Sequence, residues 1–163
     1  MVVDGSSLMI GKDGSTIYRS AYRFTNIKIP KGAIITKAII TLAYNWKSGL
    51  GVKTILYGED SDNAAAFIPK ANDISNRPRT TANVKWNDIH SGSWGMRLTS
   101  PDITSIVQEI VNRDGWSDGN SLTILQYEDP ASTDVWEAVS FEDGGTEYSH
   151  ALTIELLKSN KKN

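Results

Sequence analysis

Cysteine is absent from this 163-residue chain, histidine occurs only twice, and neither sign of charge is in large excess. Without cysteine, disulfide bonds, thiolate metal sites and cysteine nucleophiles are excluded. The 17 lysines and arginines and the 19 aspartates and glutamates are mixed along the chain, with a formal net charge of −2. This balance argues against a nucleic-acid-binding protein, which carries a basic stripe. Basic residues cluster at 158–162, in a tail that we expect to be flexible over about 158–163.

Long hydrophobic runs are also lacking. The longest apolar patch, around Ala38 to Ala43, is too short to span a bilayer, so no membrane insertion is expected. The N-terminal stretch MVVDGSSLMIGKDG has no basic segment followed by an apolar one, so no signal peptide is visible. Two interpretations follow: a protein made and used without export, or a piece of a longer secreted chain.

Motifs for catalysis are missing as well. His90 lies in NDIHSGSW and His150 opens the last strand, and neither has metal-ligand spacing. Neither a nucleophile elbow nor a glycine-rich phosphate loop occurs. Neighbouring carboxylates such as Glu128 and Asp129 lie at strand ends beside turns, where acidic residues are common for solubility. We therefore expect a protein that is not an enzyme.

What the sequence has in abundance is short β-strand patterns bounded by Gly, Asp, Asn or Pro. In AIITKAIITLAYNW, Thr36, Ala38, Ile40 and Leu42 alternate with Lys37 and Ile39, as expected of a strand in a two-layer sandwich. About nine such strands favour an all-β fold. We predict an antiparallel β-sandwich of jelly-roll type that forms a single domain over residues 1–163.

One amphipathic helix is predicted over about 101–113, within SPDITSIVQEIVNRDGW. Ser100 suits the N-cap, Pro101 the first helical position and Gly115 a left-handed C-terminal position. Apolar residues recur at helical spacing on one side: Ile103, Ile106, Val107, Ile110 and Val111. This β-branched stripe favours packing on a sheet, so we expect the helix to close the sandwich rather than meet a membrane.

Five segments in this order carry a family resemblance: RFTNIKIPKGAIITKAIITL, GEDSDNAAAF, ISNRPRTTANVKW, SPDITSIVQEIVNRDGWSDGNSL and SFEDGG. Together they resemble an uncharacterised β-sandwich domain of secreted or surface-anchored microbial proteins, a cousin of DNRLRE-type domains, some of which are treated as carbohydrate-binding modules. The resemblance implies a jelly-roll-like sandwich and no catalytic residues. It implies no established ligand.

Aromatic residues are the leading candidates for ligand binding, because Trp and Tyr faces stack on sugars and are enriched at interfaces. Of the five tryptophans, Trp86 and Trp116 are interpreted as core residues. The candidates for an exposed platform lie at strand ends or in loops: Trp46, Trp94, Trp136, Tyr127 and Tyr148. Tyr127 and Trp136 are expected on adjoining strands of one hairpin.

The loop GEDSDNAAAF brings Asp60, Asp62 and Asn63 together. Such hard oxygen ligands suit Ca²⁺, so the loop is a candidate structural calcium site. The EF-hand spacing is absent, however, and Asp62 or Asn63 could instead cap a short helical turn.

These patterns predict a non-catalytic binding or structural module displayed on a virion, outside the cell or on the cell surface. Its partners would be a protein lattice or larger assembly, or glycans. The alternative is a carbohydrate-binding module cut from a larger secreted carbohydrate-active enzyme.

Overall fold

The computed structural model describes residues 7–45, 50–90 and 92–158, so Trp46 and the predicted tail beyond residue 158 lie outside the described residues. Strands account for 41% of the chain and helices for 10%, which confirms the all-β prediction. The elements are β1 Ser7–Asp13, β2 Thr16–Tyr18, β3 Ser20–Phe24, β4 Ile35–Ala43, β5 Thr54–Glu59, β6 Arg79–Trp86, β7 Arg97–Thr99, α1 Thr104–Val111, β8 Leu122–Glu128, β9 Val135–Val139, α2 Phe141–Tyr148 and β10 Ala151–Leu156.

The strands form three antiparallel sheets in a sandwich-like arrangement. Their orders are β2-β1-β9, β10-β4-β7 and β3-β8-β5-β6. Consecutive strands therefore often lie in different sheets: β8 pairs with β3 and β5, whereas β9 pairs with β1. The predicted hairpin that joins Tyr127 to Trp136 is wrong for this reason.

The first two sheets meet at β4. Asn45 donates its backbone N–H to Glu137, and Tyr44 forms an isolated bridge with Ala138 of β9. Because β7 occupies the other flank of β4, β9 lies on the same flank as β10. β9 and β10 thus lie end to end along the same flank of β4, and the chain leaves the sheet between them to form α2.

The core lies between these strands and the four-stranded sheet. Ala38, Ile40 and Leu42 of β4 are buried while Lys37 is exposed, which confirms the predicted alternation of faces from Ala38 onward. Thr36, predicted on the same face, is exposed near the start of the strand. Trp86 and Trp116 belong to this core, as predicted. The Trp116 indole Nε1 also donates to the Ile29 carbonyl oxygen at 3.0 Å.

Helix α1 buries Ile106, Val107, Ile110 and Val111 against β4, β5 and β6. It therefore joins two sheets, which agrees with the expectation that it closes the sandwich.

The predicted ends of this helix are wrong. Ser100 does not cap it: its hydroxyl accepts the backbone N–H of Ile40 instead. Asp102 Oδ1 accepts the Thr104 N–H at 2.8 Å, and Gly115 is not left-handed. Neither α1 nor α2 is long and apolar enough to cross a membrane.

Candidate functional site

Three adjoining clefts form one groove that runs beside β3. The first two, of about 350 and 450 Å³, share Ile17, Arg19 and Ile74. The second and third, the latter of about 590 Å³, share Ala21 and Phe67. We call this combined cleft the β3 groove; it is lined by Ser7, Leu8, Met9, Ile17, Tyr18, Arg19, Ser20, Ala21, Arg23, Phe24, Thr25, Ile27, Ala66, Phe67, Asn72, Asp73, Ile74, Ser75, Phe141, Ser149, His150 and Leu152.

Aliphatic and phenylalanine side chains make up half of the lining, and polar or charged side chains make up the other half. At its two ends Ile17 is 49% exposed and Phe141 is 52% exposed, so apolar surface can be reached from solvent. Between them, the imidazole of His150 lies 5.3 Å from the rings of both Tyr22 and Phe24. The result is an elongated surface on which apolar side chains alternate with polar ones, a combination that is found in binding sites.

The connection 60–78 between β5 and β6 builds one wall of the groove. It packs Phe67 and Ile74 on the outer face of the β3-β8-β5-β6 sheet, against Ala21, Leu125 and Tyr127. This wall is held by Arg77, whose guanidinium bonds Glu59 Oε2, Asp73 Oδ2 and the carbonyls of Ala65 and Ala66. Burial lowers the pKa of Arg77, but the carboxylates of Glu59 and Asp73 outweigh burial and raise it.

The groove coincides with a sheet edge. Among the strands of the described ranges, β3 pairs with β8 alone and ends its sheet, with β1 approaching it only at Ser20, whose hydroxyl donates to Met9 O. At the opposite edge, both carboxylate oxygens of Glu109 accept backbone N–H groups of β6, from Thr81 and Ala82 at 2.8 Å each. Native proteins cover or charge their edges to prevent unwanted pairing, so the open β3 edge is a surface where a strand could add.

The two arginines of the groove, Arg19 and Arg23, differ in whether a carboxylate is paired with them. Arg19 is neutralised by Glu128 through two hydrogen bonds of 2.9 Å. Arg23 instead donates to two neutral oxygens, Ala64 O at 2.9 Å and Ser121 Oγ at 3.1 Å. Within the described residues, no carboxylate forms an ion pair with Arg23, so this guanidinium carries a positive charge without a counter-charge.

Two of the predicted platform residues are buried. Trp136 has no exposed surface and packs in the core near Tyr44, so its prediction as a ligand-stacking residue is wrong. Tyr127 is 6% exposed and lies between the guanidinium groups of Arg19 and Arg79. Burial raises the pKa of Tyr127, and its hydroxyl donates to the Ile74 carbonyl oxygen. Tyr127 therefore supports the groove wall from beneath.

The other two described candidates come together. The rings of Trp94 and Tyr148 lie 4.6 Å apart, and Trp94 is 37% exposed. Gly95 makes this contact possible, because its left-handed φ of 78° turns the chain and a Cβ there would collide with the Tyr148 ring. Tyr148 directly precedes two lining residues of the β3 groove, Ser149 and His150.

The acidic loop holds an arginine where a calcium ion was predicted. Arg113 donates to Asp62 Oδ1 at 2.7 Å and also bonds Asp60 Oδ1. Asn63 Oδ1 accepts the Ser121 backbone N–H. Among the described residues, no group of three or more His, Cys, Asp or Glu side chains is placed to hold a metal ion. The calcium interpretation is therefore replaced by an ion pair that ties the loop to the end of α1.

Sequence patterns missed most of the groove because its lining comes from separate segments, chiefly 7–27, 66–75 and 141–152. Phe141 carried one usable signal: it is a large apolar residue directly before acidic and glycine residues in SFEDGG. His150 directly precedes the last strand, and nothing in its surroundings in sequence connects it to β3.

No protein-family model matches this chain and no curated protein sequence matches it either, so the sheet edge, its groove and the exposed aromatic pair carry the functional interpretation.

Proposed function

We propose that this protein is a non-catalytic attachment module, displayed on a virion or cell surface, that docks a protein partner of a lattice or larger assembly in the β3 groove. The observation that carries the proposal is an elongated, half-apolar groove beside a sheet edge that pairs with no strand on that side among the described residues. Apolar surface that solvent can reach in such a groove is a common feature of interaction sites.

A protein partner is favoured over a sugar chain by the composition of the lining. Sugar hydroxyls require many hydrogen-bonding side chains, whereas half of this lining is aliphatic or phenylalanine, with Leu8, Met9 and Leu152 in the same groove as Phe141. Aliphatic and aromatic surfaces of this kind bury the apolar side chains of another protein well.

The absence of catalysis is proposed from the acids of the groove. Among the described lining residues the one carboxylate is Asp73, and it is engaged by Arg77 at 3.1 Å. Glycoside hydrolysis would require two carboxylates on either side of the bond that is cleaved.

We further propose that the sandwich is a jelly roll. The support is that β1-β9-β4-β7 and β3-β8-β5-β6 are the strand orders expected of two four-stranded jelly-roll sheets, if the β9–β4 bridge is counted as pairing. In this interpretation, β10 lies end to end with β9 along β4, and β2 pairs with β1 at the outer edge of its sheet.

Site-specific photo-crosslinking tests the attachment proposal. Phe141→p-benzoylphenylalanine places the reactive group in the groove, and Ile68→p-benzoylphenylalanine places it on a residue that is 50% exposed and does not line the groove. With intact particles or cells of the source, we expect position 141 to cross-link one protein that excess wild-type protein displaces. Equal cross-linking from both positions would contradict a docking site in the groove.

A second candidate function is glycan binding through Trp94 and Tyr148, which rests on the exposed stacked pair and fits a carbohydrate-binding module of a larger secreted enzyme. Retention on a panel of soluble and insoluble polysaccharides tests it. Trp94→Ala should abolish retention while Phe141→Ser preserves it. Failure of the wild-type protein to bind any polysaccharide would eliminate this candidate.

A further inference from the structure

We propose that the occupant of the β3 groove is an extended acidic segment of the partner protein, which adds to β3 as an outer strand and places a carboxylate on Arg23. This inference rests on the proposed attachment function and names the chemistry of the partner. Strand addition to an exposed sheet edge is a recurring mode of peptide recognition.

The first support is the geometry of the edge. β3 pairs with β8 from Ser20 to Phe24. On its other side β1 approaches the start of the strand, where the Ser20 hydroxyl donates to the Met9 carbonyl oxygen at 2.8 Å, but no described strand pairs with β3 there. The four residues from Ala21 to Phe24 span roughly 13 Å, so a short segment could form a ladder of main-chain hydrogen bonds with them. The free energy of this ladder does not depend on the sequence of the segment.

The second support is that both faces of such an added strand would meet side chains of the groove. Successive side chains of a strand point to opposite faces. On one face lie Arg23 and Phe67; on the other, Phe24, His150 and Leu152 line the cleft. Alternating positions of the segment would therefore meet two different environments, which gives the edge a means of sequence selection.

The third support is the charge of Arg23. Its Nε and one terminal nitrogen are fixed by Ala64 O and Ser121 Oγ, so the guanidinium is positioned before any ligand arrives. A carboxylate brought to it would form a charge-assisted hydrogen bond, which is stronger than a bond between neutral groups. A basic segment would be repelled.

The same charge argues against a second copy of this chain as the occupant. Pairing of two β3 edges would bring two Arg23 side chains onto one narrow face, and like charges on neighbouring strands destabilise pairing. Arg23 therefore both attracts an acidic partner and opposes self-association.

Two labelled synthetic octapeptides test the inference by fluorescence anisotropy: one alternates valine with aspartate, and the other alternates valine with lysine. We expect wild-type protein to bind the aspartate peptide at least tenfold more tightly than the lysine peptide. N-methylation of alternate backbone nitrogens of the aspartate peptide should remove binding, because the main-chain ladder can no longer form. Equal affinity for the two peptides, or undiminished binding after N-methylation, would overturn the proposal.

Arg23→Gln should weaken the aspartate peptide on the order of tenfold, since a hydrogen bond between charged groups contributes about that factor. Lys37→Gln removes one positive charge from an exposed position on β4 and should leave affinity unchanged. If Arg23→Gln does not fold, the peptide comparisons on wild-type protein still decide the matter. A concentration-dependent dimer of wild-type protein that the aspartate peptide does not dissociate would assign the edge to a second copy.

The two proposals fail separately. Cross-linking of a protein partner from position 141, together with no preference for the aspartate peptide, would retain attachment and reject acidic strand addition. No cross-link and no peptide binding would reject both.

Discussion

The carboxylate of Glu109 on helix α1 accepts the backbone N–H of Thr81 on β6 at 2.8 Å, so a helix side chain terminates the hydrogen-bond ladder of a sheet. The second carboxylate oxygen accepts the neighbouring N–H of Ala82. Glu109 thus satisfies two donors of β6 that lie in an irregularity of its pairing with β5, between the pairs Asn83–Tyr57 and Arg79–Glu59.

We predict that Glu109→Ala lowers the free energy of unfolding by about 1 kcal/mol, because two hydrogen bonds to a charged acceptor are replaced by bonds to water. It should also raise self-association through the uncovered β6 edge. Thermal melting and light scattering measure the two effects. Glu155→Ala removes an exposed carboxylate from β10 and serves as the control; equal behaviour of the two variants would contradict the role of Glu109.

Burial of α1 leads to a second prediction. Ile106 has no exposed surface, whereas Ser105, the residue directly before it, is exposed. Ile106→Asp should cost more than about 3 kcal/mol and unfold the domain at moderate temperature, because an unpaired charge enters the core. Ser105→Asp should leave the melting temperature nearly unchanged. Comparable melting of the two variants by circular dichroism would mean that α1 is not packed.

Gln108 lies on the polar face of α1 but is not free in solvent, because it bonds the start of β4 and the segment before it. Its side chain accepts the Ile35 backbone N–H and donates to Ala33 O and to Asn112 Oδ1. The polarity of this face alone would predict that Gln108→Lys is tolerated. The structure instead predicts a loss of about 1 kcal/mol, since a lysine offers no acceptor to Ile35.

Arg113 provides a test of the ion pair that stands in the acidic loop. Arg113→Ala should lower the melting temperature by a few degrees, because Asp60 and Asp62 lose their shared cation; for partly exposed pairs the cost is about 1 kcal/mol. A chelator should not change the melting temperature of the wild-type protein. A midpoint that falls on addition of chelator would restore the calcium interpretation.

Acid sensitivity is expected at the start of α1. Hydrogen bonds from the Thr104 hydroxyl and backbone N–H hold the pKa of Asp102 below its ordinary value. A carboxyl with a depressed folded-state pKa contributes stability above its unfolded pKa of about 3.9, and that contribution is lost as the pH falls through the folded pKa. Asp102→Asn should therefore flatten the fall of melting temperature below about pH 4. Asp88→Asn, which removes an exposed carboxylate elsewhere, is the control, and an identical acid profile for both would contradict the assignment.

Local patterns predicted the features that depend on local spacing. The alternation around Ala38 and Ile40 predicted which face of β4 is buried, and the stripe at Ile106 and Ile110 predicted the packed side of α1. β1 has no clear alternating pattern because Gly11 interrupts it; the φ of Gly11 is 114°, and a Cβ there would collide with the Asp134 carbonyl oxygen. That requirement comes from a residue far away in sequence.

The site could be predicted only in part for the same physical reason. Trp136 was assigned to the surface because it follows a turn, but the sheet to which its strand belongs decides its burial, and pairing with β1 turns it inward. Trp94 and Tyr148 were each identified as candidates, but their stacking depends on how α2 returns to β10.

The segment between β9 and β10 allows strand pairing and surface recognition to be set by different parts of the chain. Both strands continue along β4, so the strand pairing of this flank does not depend on the length of the segment that leaves and re-enters it. That segment carries Phe141, at one end of the groove, and Tyr148, which stacks on the exposed Trp94. Natural or engineered changes there can alter what the surface recognises while the framework is retained, which makes it the position of choice for loop grafting and for libraries of altered binding specificity.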